Sequence, residues 1–224
     1  MEVLYEDNHI VVVNKQPGDI VQGDRTGDKP LVETVKDWLK QKYKKPGNVF
    51  LGVTHRLDRP VGGAVVFAKT SKALARLNEM FRKGEIHKTY WAITEKTPEP
   101  VSGTLENFLE SVEHNNKTYI RQKPTEKSKL ARLKYRTLSE GERYTLVEVE
   151  LLTGRKHQIR VQLAGIGCPI KGDLKYGAKR SNPDGGISLW ARKIEFIHPV
   201  SKKKIDIIAP VPQDNLWKSL TVNL

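Results

Sequence analysis

The chain has 224 residues, 38% of them hydrophobic, and its 39 lysines and arginines against 26 acidic residues give a net charge of +13 at pH 7. This excess of positive charge favours binding to a polyanion such as nucleic acid. No apolar run approaches the ~20 residues of a membrane-spanning helix, and the acidic N-terminus lacks a signal-peptide pattern, so we expect no membrane attachment. The single cysteine, Cys168, excludes an internal disulfide and fits a reducing cytoplasm. The length fits one domain over 1–224, or two lobes that share one core.

Strand patterns recur along the whole chain. They fall at 10–13, 64–68, 88–94, 131–138, 144–152, 188–196 and 204–208. The pair 131–138 and 144–152 flanks a turn-rich segment and therefore predicts a hairpin. Because short turns join neighbouring strands, we expect a mostly antiparallel sheet with helices on it, which is an α+β fold and not a doubly wound one.

Three helices are predicted between these strands. Apolar residues at helical spacing predict an amphipathic helix over 31–44. A second helix is expected to begin after Thr70 or Ser71, either of which can cap it, and to end at Gly84. A third, short helix is predicted over 156–164.

Two motifs carry more charged chemistry than packing requires. The first, HRLD at 55–58, places a carboxylate next to a histidine and an arginine. The second, GRKHQIR at 154–160, gathers two arginines, a lysine and a histidine at the start of the third predicted helix. Together they indicate a catalytic carboxylate, an arginine that keeps it ionised and a site for a polyanion.

Other kinds of chemistry lack their sequence signals. The chain has no P-loop, no G-x-G-x-x-G after a strand and no serine nucleophile elbow. Because both nucleotide-binding motifs are missing, we expect no nucleotide cofactor. The six histidines and one cysteine show no zinc-binding spacing, so we also expect no metal. A phosphodiesterase that used His55 and His157 is a weaker alternative, because it would lack a metal set.

Four blocks, in chain order, resemble the RluA family of RNA pseudouridine synthases. They lie at 4–18, 55–63, 88–90 and 154–177, and Leu189 and 198–199 fit the family's closing strand. The chain departs from the family pattern at 15–18 (KQPG for lysine-proline-x-glycine) and at 61–63 (VGG for threonine-serine-glycine). The resemblance implies the pseudouridine synthase fold, with a mostly antiparallel mixed sheet, flanking helices and loops, and a central basic active-site cleft. Because the blocks begin close to Met1, we expect the extra N-terminal RNA-binding domain of many relatives to be absent.

The resemblance implies isomerisation of a specific uridine in tRNA or rRNA to pseudouridine. The bond between base and ribose breaks, the base turns, and carbon 5 of the base bonds to carbon 1 of the ribose. Substrate and product have the same mass, so no cofactor is implied. The sugar intermediate needs a carboxylate as nucleophile or base, and the resemblance gives that role to Asp58. A surface turn residue paired with Arg56 or Arg59 is the other interpretation of Asp58.

The resemblance assigns catalytic roles to two further residues. Arg160 would lie against Asp58 and favour its ionised form, and Tyr90 would stack on the base. Arg160 could instead bind phosphate on an exposed helix face, and Tyr90 could instead be a core aromatic residue. The residues expected to bind substrate are His55, Arg56, Arg155, His157 and Leu189.

A uridine stacked in RNA cannot reach a carboxylate inside a cleft, so we expect the nucleotide to be flipped out. Trp190, Phe81 or Tyr176 could fill the gap that it leaves. The basic run 117–136 predicts either an arm that grips the RNA backbone or a solvated hairpin.

The class of function has one alternative. An RNA-binding or assembly factor could keep this fold without the reaction. The presence together of Asp58, Tyr90 and Arg160 favours the enzyme. We expect RNA as the partner, a monomeric protein and a cytoplasmic location.

Overall fold

The computed structural model describes residues 1–24 and 26–224, and the chain forms two compact units. The first unit comprises Met1–Ile86 and Ala191–Pro210, and the second comprises His87–Trp190 and Val211–Leu224. A single domain over 1–224 stays a prediction.

The described residues contain eleven strands and four α-helices, which confirms the α+β class. The strands are β1 (Glu2–Glu6), β2 (Ile10–Lys15), β3 (Gly52–Val53), β4 (Gly62–Ala68), β5 (His87–Thr94), β6 (Ser102–Val112), β7 (Lys117–Arg121), β8 (Lys129–Glu140), β9 (Thr145–Leu151), β10 (Leu189–Ile197) and β11 (Lys204–Ile208). The helices are α1 (Leu31–Lys42), α2 (Ser71–Lys83), α3 (Gln158–Gly165) and α4 (Asn215–Thr221), and Leu174–Tyr176 form a 3-10 turn.

The first unit is built around β2, which pairs antiparallel with β1 on one side and with β4 on the other. Every residue of β2 and β4 is buried, as their apolar runs require. Within β4, Gly63 has φ of 110°, and a Cβ there would overlap the backbone of Ala191, so only glycine fits. The segment with the HRLD motif connects β3 to β4, so each of its two ends is anchored in a strand.

The second unit contains the strands β5, β9, β8, β6 and β7 in that spatial order, with antiparallel neighbours. The predicted hairpin is confirmed as β8 and β9. Of the two alternatives for 117–136, the solvated hairpin is wrong, because β6 lies between β7 and β8. Cross-strand ion pairs involve three arginines of this run, with Arg121 on Glu110, Arg132 on Glu106 and Arg136 on Glu148.

The helix ends agree closely with the local signals. Thr70 caps α2 by accepting a hydrogen bond from the Ala73 amide at 3.1 Å, and Gly84 ends the helix in the left-handed conformation, which confirms both predicted caps. Helix α3 begins at Gln158, two residues after the predicted start. Within residues 1–24 and 26–224, no helix is both long and apolar enough to cross a membrane.

Candidate active site

The turn that carries Asp58 is fixed through its main chain. The Val61 amide donates to the Asp58 carbonyl oxygen at 3.0 Å, and the Gly18 amide donates to the Arg59 carbonyl oxygen at 2.9 Å. Asp58 itself is only partly buried. A partly exposed carboxylate therefore stands on a turn whose backbone is held in place.

His55 fixes the segment that leads into this turn. Its Nε2 accepts a hydrogen bond from the Val66 amide of β4 at 3.1 Å, and its ring lies 4.8 Å from that of Phe81. Thr54 adds a hydrogen bond of 2.6 Å to the Val66 carbonyl oxygen. Because Nε2 accepts, the neutral ring carries its proton on Nδ1. Arg56, by contrast, is exposed.

Arg160 forms a buried, bidentate ion pair with Asp173. Its Nε lies 2.7 Å from Oδ2 and its terminal nitrogen 2.8 Å from Oδ1, and the two side chains are 6% and 1% exposed. The guanidinium also lies over the ring of Tyr176, 5.1 Å from its centroid. This geometry fixes the plane of the guanidinium. Asp173 thus holds Arg160.

Tyr176 links this pair to His157. Its hydroxyl lies 2.8 Å from Nδ1 of His157 and accepts a hydrogen bond of 2.8 Å from the Thr118 amide. Burial raises the pKa of the Tyr176 hydroxyl, so it stays protonated at neutral pH. Because that hydroxyl accepts from an amide, its own proton can go to His157.

The loop before α3 differs from the prediction. The helix predicted over 156–164 includes His157, but His157 has φ of 53° and precedes the helix as its N-cap. Gln158 Oε1 accepts from the Arg155 amide at 3.0 Å and from the Thr153 hydroxyl at 2.8 Å, which holds the preceding chain in a turn. Arg155 Nε donates to the Leu130 carbonyl oxygen at 2.9 Å. Arg155 and His157 therefore brace this loop.

Tyr90 lies in β5 opposite Val149 of β9, and it is largely buried. Lys88 lies two residues earlier on the same face, and burial lowers the pKa of its ammonium. A Cβ built on Gly154 would lie 3.4 Å from the Lys88 nitrogen, so β5 contacts the loop before α3 through this side chain. Leu189, also buried, is the first residue of β10.

The predicted site residues thus fall into two groups. His55, Arg56 and Asp58 belong to the first unit, and Tyr90, Arg155, His157, Arg160 and Leu189 belong to the second. The roles assigned to them, and the placement of Arg160 against Asp58, stay predictions.

The three candidates for filling the gap in the RNA differ in burial. Trp190 is buried, with its ring 6.5 Å from that of Trp217. Tyr176 is buried and hydrogen-bonded through its hydroxyl. Phe81 is partly exposed, so it is the one of the three whose surface is available for contact with RNA.

The sequence predicts no role for Lys15, and it predicts for Tyr176 only that it could fill the gap left by the flipped nucleotide. The signal for Lys15 was its place two residues after the apolar run 10–13, where a lysine at a strand end would normally reach solvent. The signal for Tyr176 was its spacing of three from Asp173, which brings both residues to one short turn. Among residues 1–24 and 26–224, no cluster of three or more His, Cys, Asp or Glu side chains could hold a metal ion.

Comparison with known proteins gives a consistent result. Residues 9–165 match the family model of RNA pseudouridylate synthases. An uncharacterized RNA pseudouridine synthase of Bacillus subtilis is 33% identical over 96% of this chain and 70% of its own length. Ribosomal large subunit pseudouridine synthase C of Vibrio cholerae is 32% identical over 98% of this chain and 68% of its own length.

Solved structures agree in fold. The human protein RNA pseudouridylate synthase domain containing 4 superposes with a TM-score of 0.79 at 25% identity, and the match covers 95% of this chain and 89% of that one. These matches confirm the resemblance, and with it the pseudouridine synthase fold. The chain belongs to the RNA pseudouridylate synthase family, whose enzymes isomerise uridine in RNA.

Proposed function

We propose that this enzyme converts one specific uridine of ribosomal or transfer RNA to pseudouridine, with Asp58 as the catalytic carboxylate. The observation that carries the assignment is the turn itself: a partly exposed carboxylate on a backbone held by Val61 and Gly18. Catalysis requires such a group at a fixed position. The Val61 bond is the i→i+3 bond of a β-turn, and the Gly18 bond adds a tie from a distant part of the chain.

The reaction balances without a second substrate. The bond from N1 of the base to C1′ of the ribose breaks, and a bond from C5 to C1′ forms. The hydrogen on C5 leaves as a proton, and N1 gains a proton. Asp58 acts as nucleophile at C1′, as base at the sugar, or in both roles.

Arg160 acts on the same nucleotide in this proposal. Its guanidinium is held by Asp173 and Tyr176, so it presents positive charge from a fixed direction. A fixed guanidinium favours the ionised form of a carboxylate and does so without losing rotamer freedom in each turnover. Tyr90 stacks on the uracil ring, and Leu189 supports the base on its other side.

The substrate is RNA, and the target nucleotide leaves its stack to react. The net charge of +13 supports binding to a phosphate backbone. The names of two relatives support ribosomal RNA as the class of substrate. They are ribosomal large subunit pseudouridine synthase C of Vibrio cholerae, at 32% identity, and synthase D of Xylella fastidiosa, at 33%. A base inside a helix is out of reach of a side chain, so base flipping follows.

The test is substitution of Asp58 by Asn, which keeps size and removes the negative charge. RNA carrying tritium on C5 of uridine loses the label as pseudouridine forms, so label release measures the reaction. We expect Asp58→Asn to lower the rate by several orders of magnitude while RNA affinity is retained. The matched control is Asp37→Asn on α1, an exposed aspartate paired with Lys29, which should leave the rate unchanged.

Two precautions make the result decisive. The variant is purified from cells that lack the wild-type enzyme, and mass spectrometry excludes deamidation back to aspartate. Mapping of pseudouridine in total RNA from cells with and without this chain then identifies the position. Substantial pseudouridine formation by clean Asp58→Asn would overturn the assignment of Asp58.

A further inference from the structure

Arg59 follows Asp58 directly and shares its fixed backbone. The Arg59 carbonyl oxygen accepts a hydrogen bond of 2.9 Å from the Gly18 amide. Because consecutive Cα atoms lie about 3.8 Å apart, the Arg59 side chain begins one residue away from the candidate catalytic carboxylate. That side chain is exposed, so a positive charge stands at the surface beside the turn.

Two acidic residues between β2 and α1 lie near this guanidinium. Oδ2 of Asp28 is 2.6 Å from the terminal nitrogen Nη2 of Arg59, and the two side chains are 52% and 47% exposed. Hydrogen bonds from Thr26 lower the pKa of Asp24, and the charge of Arg59 lowers it further, so Asp24 is also within reach of this charge. Asp24 and Asp28 therefore place negative charge beside the turn that carries Asp58.

The pair of Arg59 and Asp28 is suited to exchange its partners. Because both side chains are about half exposed, water screens their attraction and the pair adds little to stability. In the part of the chain that the structure describes, Nη2 is the nitrogen that contacts Asp28, so the planar guanidinium keeps other donors for a second acceptor. A phosphate diester offers two anionic oxygens, which an arginine can bind with two parallel hydrogen bonds. Such a contact is stronger than the single one to Asp28.

The position of the pair matters for a protein that binds a polyanion. The chain carries a net charge of +13, yet these carboxylates stand next to the candidate catalytic turn, where they repel an incoming phosphate. While Arg59 is paired with Asp28, its charge is neutralised. RNA that binds elsewhere on the positive surface gains nothing from Arg59, and only a phosphate that reaches the guanidinium replaces the repulsion by a contact. The pair therefore favours correctly placed RNA over other bound forms.

We propose that Arg59 binds a phosphate next to the target uridine, and that Asp28 occupies the guanidinium until this phosphate replaces it. The proposal rests on the proposed catalytic role of Asp58, which brings the ribose of the target nucleotide to this turn. The phosphates closest to that ribose are the two that flank it on its 5′ and 3′ sides. The step exchanges one anionic partner for another and changes no covalent bond.

The experiment measures RNA affinity for the wild type, Arg59→Ala, Asp28→Asn and the double variant. The probe is a synthetic RNA stem-loop that carries the uridine identified by pseudouridine mapping. Arg59→Ala should weaken binding by about 5–20-fold. Asp28→Asn should strengthen it by about 2–5-fold, because the guanidinium is then available without breaking a pair.

The double variant separates this exchange from a general effect of charge. Without Arg59 there is no guanidinium to release, so Asp28→Asn should gain no more in the Arg59→Ala background than the control gains. The control is Asp37→Asn, which removes the same charge from an exposed ion pair with Lys29. Because the substituted side chains are exposed, all variants should melt like the wild type, and the melting temperature verifies this.

Neutral probes locate the phosphate. In each probe a methylphosphonate replaces one of the two phosphates that flank the uridine, and the sugar on its 5′ side is 2′-deoxyribose, as it is in a matched charged probe. One of the two replacements should weaken wild-type binding about as much as Arg59→Ala does, and Arg59→Ala should lose nothing further on that probe. Arg59→Lys keeps the charge without the planar fork, so it should recover only part of the affinity.

Three results would each overturn the proposal. The first is an unchanged affinity of Arg59→Ala. The second is an equal gain from Asp28→Asn with and without Arg59. The third is a loss from Arg59→Ala that is the same on the charged probe and on both neutral probes.

The outcome also separates this proposal from the one about Asp58. If Asp58→Asn is inactive and Arg59→Ala binds RNA like the wild type, Asp58 is catalytic and Arg59 does not bind a phosphate. If Asp58→Asn is active, the proposed function of the site is wrong, whatever the affinities of the Arg59 variants.

Discussion

The turn that carries Asp58 and the segment that carries Arg160 are both fixed, but by different kinds of contact. Around Asp58, main-chain carbonyl groups converge on one ammonium, that of Lys15. Around Arg160, the contacts come from side chains. Asp173 binds the edge of the guanidinium, and the ring of Tyr176 lies against its plane.

The two kinds of contact make the two regions sensitive to different substitutions. Such main-chain contacts need little from the surrounding side chains, and here the ammonium of Lys15 is the side-chain group that donates to them. A side-chain network spreads its hold over several residues, and each of them can be removed separately. Substitutions in the second unit should therefore give a graded series of effects, ordered by how many buried contacts each one breaks.

The largest effect is expected for Asp173→Ala. This change removes the bidentate partner from a guanidinium that is 6% exposed, and breaking a buried pair in this way costs about 3–5 kcal/mol. Urea unfolding measures the loss. The matched control is Glu106→Ala, which breaks an exposed pair with Arg132 and should cost no more than about 1 kcal/mol. Equal losses in the two variants would show that the buried pair does not hold α3.

Tyr176→Phe should have an intermediate effect. The ring and its contact with Arg160 remain, but the Thr118 amide and Nδ1 of His157 lose their common partner. Leaving such buried groups unsatisfied costs about 1–3 kcal/mol. Tyr119→Phe is the control, because its hydroxyl accepts from the exposed Asn115 side chain, and the free energy of unfolding should barely change. A neutral Tyr176→Phe would mean that the hydroxyl is dispensable and that the ring alone supports Arg160.

Elements with strong local signals were predictable from the sequence. Helix α2 combines helical spacing with a threonine cap and a terminal glycine, and each of these signals acts within a few residues. Strand β2 has a continuous apolar run. By contrast, β1, β6, β7 and α4 were not predicted. Strand β6 carries charged residues along its length and only Leu109 is fully buried, so pairing with its neighbours, and not composition, makes it a strand.

The candidate site shows the same division. The motifs identified Asp58 and Arg160, because unusual charge density is visible in the sequence. The partner of Arg160 lies 13 residues away in a 3-10 turn, and nothing in the spacing of α3 points to it. The helix predicted over 156–164 also included His157. The Gln158 side chain binds the Arg155 amide and so delays the helix start, an effect that periodicity cannot register.

The smallest effect is expected at the exposed lysines of the basic run 117–136. Arg121 and Arg136 of this run are paired with glutamates, whereas Lys127 and Lys129 are exposed and have their charge available for phosphate. The double change Lys127→Ala and Lys129→Ala should weaken RNA binding a few-fold. It should also flatten the slope of log affinity against log salt by about 1–2, since fewer counterions are released.

Filter binding of RNA across a salt series measures this slope, with Lys40→Ala and Lys44→Ala on and after α1 as a control of equal charge change. The rate on bound RNA should stay at the wild-type value, because these lysines would hold the backbone and take no part in the chemistry. If that rate falls, the basic run contributes to the active site. If the double variant and its control change the slope equally, the basic run is not a specific RNA-binding surface. The attraction of RNA then comes from the positive charge of the protein as a whole.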